Sequence, residues 1–197
     1  VTITYADAEQ PTLRDVNLEF VGGGRAEQTQ VPIQQPAQDA RALPVWGLYA
    51  HRVKVLELQN VRLNLIQPDA RPALMADEVD RIELDTFKTP RSEVAPLALS
   101  NVQELNLRDT DLHVVEGSCT GIETSSDPLT ITAAIKNQSA SGLVRVQMSL
   151  DDRLQTRWLN MQADEQKKVV FTGWGKLAPG MYTAQCGNRQ EKLHIAQ

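Results

Sequence analysis

One hydrophobic frame recurs through the first half of this chain, and no other feature limits the fold as tightly. In Val53-Lys54-Val55-Leu56-Glu57-Leu58-Gln59-Asn60-Val61 the apolar residues fall at Val53, Leu56, Leu58 and Val61. The frame returns at Val79, Ile82, Leu84 and Phe87, and again at Val102, Leu105, Leu107 and Thr110. An earlier copy reads Leu13, Val16, Leu18 and Val21. The later steps are 26 residues (79 minus 53) and 23 residues (102 minus 79). A period of that size belongs to stacked coils, not to one closed domain.

The coils can be read residue by residue. Aligned on Val53, Val79 and Val102, the positions five before are Leu48, Leu74 and Leu97, and those three before are Ala50, Ala76 and Leu99. Each coil is therefore two short strands with inward aliphatics, separated by one polar turn. The alternate residues Glu57, Gln59, Glu83, Asp85, Asn106 and Arg108 point outward, the period-two pattern of a strand. No coil can bury its apolar face alone, so each needs neighbours. A leucine-rich repeat has a similar length but needs an Asn or Cys ladder beside the strand leucines. Here Asn60 is followed by Thr86 and Asp109 at the equivalent places. The pattern predicts a right-handed parallel β-helix over residues 1–117. Gly22-Gly23-Gly24 opens a polar stretch that runs to Pro44. Without a following helix and Lys, the triplet reads as a turn opening a long loop rather than a phosphate cradle.

Near Glu116-Gly117-Ser118 the repeat stops, and polar residues 121–128 mark a boundary. Alternating segments follow at 129–135, 143–150, 154–161, 168–171, 181–186 and 192–196, punctuated by Asp151-Asp152, Ala178-Pro179-Gly180 and Gly187-Asn188. Such punctuation predicts a small antiparallel β-sandwich over residues 118–197. The expected fold is all-β, and no segment has the pattern of an amphipathic helix.

Composition narrows the function classes. The net charge of −5 is spread without basic clusters, which argues against nucleic acid as a partner. No apolar run reaches the roughly 18–20 residues of a membrane span. The chain opens on strand-like Val1-Thr2-Ile3 without an initiator Met, the expectation for a mature product or a fragment starting inside a fold. Cys119 and Cys186 lack CxxC spacing. They form either one structural disulfide or two buried free thiols.

The candidate site residues each have a structural and a chemical reading. Asp69 and Arg71 can pair in a turn, or Arg71 can bind a sugar carboxylate through its guanidinium fork. Trp46 and Tyr49 can stack on a sugar ring or pack beneath the long loop. His51 sits on an outward strand position and reads as solvated, not as a base. Asp77, Glu78, Asp80, Glu83 and Asp85 supply carboxylates, but outward positions and turns are normally charged. His113 and His194 lack metal-ligand spacing, and neither a metal nor a cofactor is expected. Trp158 and Trp174 belong to the sandwich, as core or inter-domain packing or, if exposed together, as a carbohydrate platform.

The stretches Trp46-Gly47-Leu48-Tyr49-Ala50-His51-Arg52-Val53 and Pro68-Asp69-Ala70-Arg71-Pro72-Ala73-Leu74 resemble the C-terminal coils of glycoside hydrolase family 28, the polygalacturonase-like β-helix enzymes. The resemblance covers roughly residues 10–115. The family's Asn-Thr-Asp, Asp-Asp, Gly-His-Gly and Arg-Ile-Lys motifs do not occur here, so no catalytic residue is assigned. Lys136-Asn137-Gln138-Ser139 and Leu177-Ala178-Pro179-Gly180-Met181-Tyr182 resemble bacterial CARDB or fibronectin-like sandwich modules. Together the resemblances imply the non-catalytic C-terminal part of a secreted or periplasmic bacterial protein acting on pectic poly- or oligosaccharide. Carboxylate-bearing coils would precede residue 1, and the sandwich would cap the stack. The alternative is a glycan- or protein-binding adhesion module. Trp46, Tyr49 and Arg71 are the candidate binding residues.

Overall fold

The computed structural model describes residues 2–4, 10–30, 43–92, 94–126 and 128–195. The chain divides into two compact units, Val1–Leu112 and His113–Gln197, and strands dominate both; among the described residues there is no α-helix.

The first unit is a β-solenoid of about four turns. Its strands are β1 (Thr2–Thr4), β2 (Thr12–Phe20), β3 (Leu48–Leu65), β4 (Leu74–Asp85) and β5 (Leu97–Arg108). Both β1 and β2 pair parallel with β3, β3 with β4, and β4 with β5. The register stacks like on like: Leu48, Leu74 and Leu97; Val53, Val79 and Val102; Leu56, Ile82 and Leu105. These positions are buried in every coil. Each such side chain contributes about 1.5–3 kcal/mol of burial, and every interior coil covers and is covered.

The coil bends without a loop. Strict alternation would keep one face inward along all of β3, yet the buried residues step by three places instead of two from Ala50 to Val53, from Val53 to Leu56 and from Leu58 to Val61. At the first and last of these a single residue takes the left-handed conformation: Arg52, Glu78 and Asn101 form one corner column (φ 52° to 55°). Asp15, Asn60, Thr86 and Asp109 form the second (φ 49° to 55°). One left-handed residue turns the strand and restores the apolar face to the interior. The expected polar turn is thus one residue long, and Asn60, Thr86 and Asp109 are its corners rather than a leucine-rich-repeat ladder. Lateral bonds hold these columns: the Asn60 amide donates to Asp15 at 2.7 Å, the Asn101 amide to Asp77 at 3.2 Å, and Arg52 to Glu78 at 2.9 Å.

The first coil departs from the sequence frame. Leu13, Val16 and Leu18 pair with Leu58, Val61 and Leu63, not with Val53, Leu56 and Leu58. The spacing three-then-two occurs at both places, so the aliphatic pattern fits either register. Val21, expected inward, lies past the end of β2 and is 66% exposed.

The second unit contains β6 (Val114–Val115), β7 (Gly117–Ser126), β8 (Leu129–Asn137), β9 (Gly142–Leu150), β10 (Arg153–Met161), β11 (Gln166–Phe171), β12 (Gly180–Cys186) and β13 (Arg189–Ile195). One sheet runs β11-β8-β7 and the other β10-β9-β12-β13, with β6 beside β9. The core between them includes Ile131, Ile135, Val146, Met148, Met161, Phe171, Trp174 and Leu193. The polar stretch 121–128 is not a linker, because Gly117–Ser126 pairs antiparallel with Leu129–Asn137. The units meet at 112/113 rather than 117/118: Val114 and Val115 already pair with Leu143 and Val144. Buried Asn137 secures one end of the sandwich. Its amide donates to the carbonyls of Ala140 and Gln162, each at 2.8 Å, while its oxygen accepts the Ser139 N–H.

Candidate functional site

The turn after β3 is built on Asp69, whose side chain is fully buried. One carboxylate oxygen accepts from the Arg71 N–H and Nε, both at 2.9 Å; the other accepts from Arg71 Nη2 at 2.7 Å and from the Gly24 N–H at 2.8 Å. Arg71 Nη1 donates to the Leu43 carbonyl at 2.8 Å. Burial alone would raise the Asp69 carboxyl, but the Arg71 guanidinium and the two backbone donors hold it below its ordinary value. The guanidinium fork of Arg71 is turned inward and occupied by this pair.

The glycine triplet belongs to the same structure. Gly22 is left-handed (φ 78°), and a Cβ there would meet the Gln67 carbonyl. Gly24 lies so close to the Arg71 guanidinium that a methyl group would displace it. The triplet therefore lets the segment after β2 lie flat on the Asp69–Arg71 turn, closed by Gly23 N–H to Pro68 O and Ala70 N–H to Gly24 O. A polar 3-10 turn, Ala26–Gln30, follows it. Residues 31–42 of the expected long loop lie outside the described residues.

Beside this clamp lies a cavity of about 570 Å³ bounded by Gly24, the Leu65–Ala70 turn and Pro90, Arg91, Ser92 and Val94. Its volume falls within the roughly 300–1,000 Å³ usual for small-ligand sites. Pro68, Pro90 and Ile66 give it apolar walls, and Gln67, Arg91 and Ser92 bring polar groups. Asp69 closes the base with its carboxylate directed at Arg71 and Gly24. Arg91 is exposed, so its guanidinium is the cationic group on the wall.

The other sequence candidates lie apart from this cavity. Trp46 is 8% exposed and packs edge-on against Phe20 at 5.5 Å. Tyr49 is 7% exposed and stacks on His51 at 6.3 Å. Burial, then the charges of Asp77 and Glu78, push the Tyr49 phenol up. Both rings show little surface to solvent. His51 Nδ1 faces Asp77 at 3.7 Å on the neighbouring coil. Of the other candidate carboxylates, Glu78 pairs with Arg52, Glu83 with Arg81 at 3.0 Å and Asp85 with Arg108 at 3.4 Å, while Asp80 is exposed on the coil surface. Trp174 is buried in the sandwich core and donates to the Phe171 carbonyl; Trp158 is also buried but stands on the face of its strand opposite the core residues Leu159 and Met161, with Arg145 over its ring. They form no shared open platform. The Tyr182 hydroxyl donates back to the Ala178 carbonyl at 2.8 Å, fixing the Pro179-Gly180 turn. Cys119 and Cys186 are both free thiols.

The cavity is the feature sequence reasoning missed. Its walls come from three segments far apart in the chain, and only Gly24 and Pro68-Asp69 stood out in the sequence.

Fold and site together define an all-β protein that joins a β-solenoid to a β-sandwich, with a cavity of about 570 Å³ at a coil turn. No protein-family model matches the chain, and neither a curated protein nor a solved structure shows significant similarity to it. Among the described residues no helix is long and apolar enough to cross a membrane, and no three His, Cys, Asp or Glu side chains group as metal ligands.

Proposed function

We propose that this chain is a non-catalytic part of a carbohydrate-active protein of the polygalacturonase-like kind. In this reading its coils complete a longer β-helix, the sandwich is an accessory module, and the protein works outside the cytoplasm on pectic polysaccharide. The observation that carries the non-catalytic reading is the state of the carboxylates. Inverting glycoside hydrolysis needs one carboxylic acid held protonated and a carboxylate free to activate water. Here Asp69 is kept ionised by Arg71, and Asp77, Glu78, Glu83 and Asp85 face basic or amide partners on the coils; of these candidates that leaves exposed Asp80, one carboxylate where the reaction needs two.

Binding is assigned to the cavity at the coil turn. A uronate presents a carboxylate to the Arg91 guanidinium and ring faces to Pro68 and Pro90. Arg71, the sequence candidate, acts behind it by fixing the turn. The test has two arms. Incubation of the chain with polygalacturonate should release no reducing ends above the blank, and titration with a short oligogalacturonide should saturate. Turnover abolished by Asp69→Asn or Asp77→Asn would overturn the non-catalytic reading; a flat titration would overturn the binding one.

A further inference from the structure

Cys119 and Cys186 lie on different sheets of the sandwich, in β7 and β12. A strand alternates faces, so Cys119 and Ile122, three residues apart, should point oppositely. Both pack against the core. The reason is a bulge between Cys119 and Gly121, where the β7–β8 register slips by one residue. The extra residue, Thr120, is exposed, and the slip puts both Cys119 and Ile122 on the inner face. The bulge therefore aims Cys119 across the gap between the sheets. Its Cβ lies 4.0 Å from where a Cβ on Gly187, the residue after Cys186, would stand. The Cys119 thiol donates to the Gly121 carbonyl at 3.4 Å, a weak bond that leaves its sulfur beside the Cys186 strand. The two cysteines share a cavity of about 180 Å³ with Arg145 and Gln147 on its walls. Cys186 is 3% exposed, whereas Cys119 is half-buried.

We infer that Cys119 and Cys186 are a reversible dithiol site that a small-molecule disulfide oxidises to an intersheet disulfide, with Cys119 as the attacking thiol and Cys186 as the resolving one. In the first step the Cys119 sulfur, giving up its proton, attacks the disulfide R–S–S–R. A Cys119–S–S–R bond forms, and one R–SH leaves carrying a proton. In the second step the Cys186 sulfur attacks the Cys119 sulfur of that mixed disulfide. The protein disulfide forms and a second R–SH leaves with the second proton. The protein loses two electrons and two protons, and the small disulfide gains them. Exposure fixes the order, because only Cys119 meets a solvent-borne reagent. Burial, and after it the neighbouring Cys119, push the Cys186 thiol up, so thiolate is scarce there and resolution is the slower step.

The test uses the full chain, native, with oxidised glutathione as the probe and intact-mass and peptide-map readout. The wild type should pass through a transient species carrying one glutathione on Cys119. It should end with two hydrogen atoms lost, no glutathione retained and one Cys119–Cys186 linked peptide. Cys186→Ser should stop at the singly modified species, and Cys119→Ser should stay unmodified under the same conditions. The wild-type end point needs no variant to fold. Stable glutathione on either cysteine of the wild type, covalent dimers, or thiols that react only in denaturant would overturn the assignment.

Discussion

Thr86 is the residue whose conformation its chemistry suits least. A β-branched side chain at φ 55° is strained, because left-handed geometry costs a non-glycine residue about 1–2 kcal/mol and bulky branching adds to it. Asn tolerates this geometry best and already occupies the same corner at Asn60 and the other column at Asn101. Thr86→Asn should raise stability by about 0.5–1 kcal/mol, read as a higher urea midpoint at unchanged slope; a fall would mean that the Thr86 hydroxyl bond to Asp85 outweighs the strain. Asp69 sits at the other extreme. Removing one partner of a buried ion pair costs about 3–5 kcal/mol, so Asp69→Ala should be strongly destabilised. Its pH signature has a definite sign. The folded carboxyl is depressed, so its contribution is complete above the unfolded value near pH 4 and disappears as pH falls through the folded value. The stability gap between wild type and Asp69→Asn should narrow below about pH 4; a gap that stays constant to pH 2 would contradict the Asp69–Arg71 account.

At the scale of the coil, stability resides in the stacked columns. Ile82 is fully buried and lies between Leu56 and Leu105. Ile82→Ala should cost about 2–5 kcal/mol, the range for opening a cavity in a packed core. Glu104→Ala, at an exposed outward place on the next coil, should stay within about 0.5 kcal/mol. Equal losses would mean that the coils are not packed in this register. Much of this element was legible in the sequence. The aliphatic columns at Leu48, Val53, Leu56 and Leu58 follow from period two interrupted by threes, and the six sandwich segments each became a strand. The first coil was misframed because Leu13-Val16-Leu18 has the spacing of two different stretches of β3. Hydrophobicity alone does not choose between them, because both stretches offer the same aliphatic spacing. Residues 121–128 were read as a boundary because they lack large aliphatics apart from Ile122; the β7 strand forms because it pairs along β8 while packing partly buried Cys119 and Ile122 against the core.

For the whole molecule, the sequence located residues that the fold uses in another capacity. Arg71 was the natural carboxylate ligand, and it became the internal partner of Asp69. The glycine triplet looked like loop punctuation, and it is the surface on which that pair is closed. Both outcomes depend on Gly24 meeting residues 45 or more positions away, which no local pattern encodes. The cavity that results carries Arg91 as its exposed cation. Arg91→Ala should leave folding unchanged and weaken oligogalacturonide binding by about tenfold or more, the usual worth of a charge-assisted hydrogen bond.

The proposed role as a non-catalytic binder of acidic glycan is tested most directly by calorimetric titration of the intact chain with an oligogalacturonide, against a neutral oligosaccharide of equal length. The account predicts a saturable heat for the uronate alone, strongly reduced in Arg91→Ala and falling as salt rises. Equal heats for both sugars, or no heat for either, would contradict it.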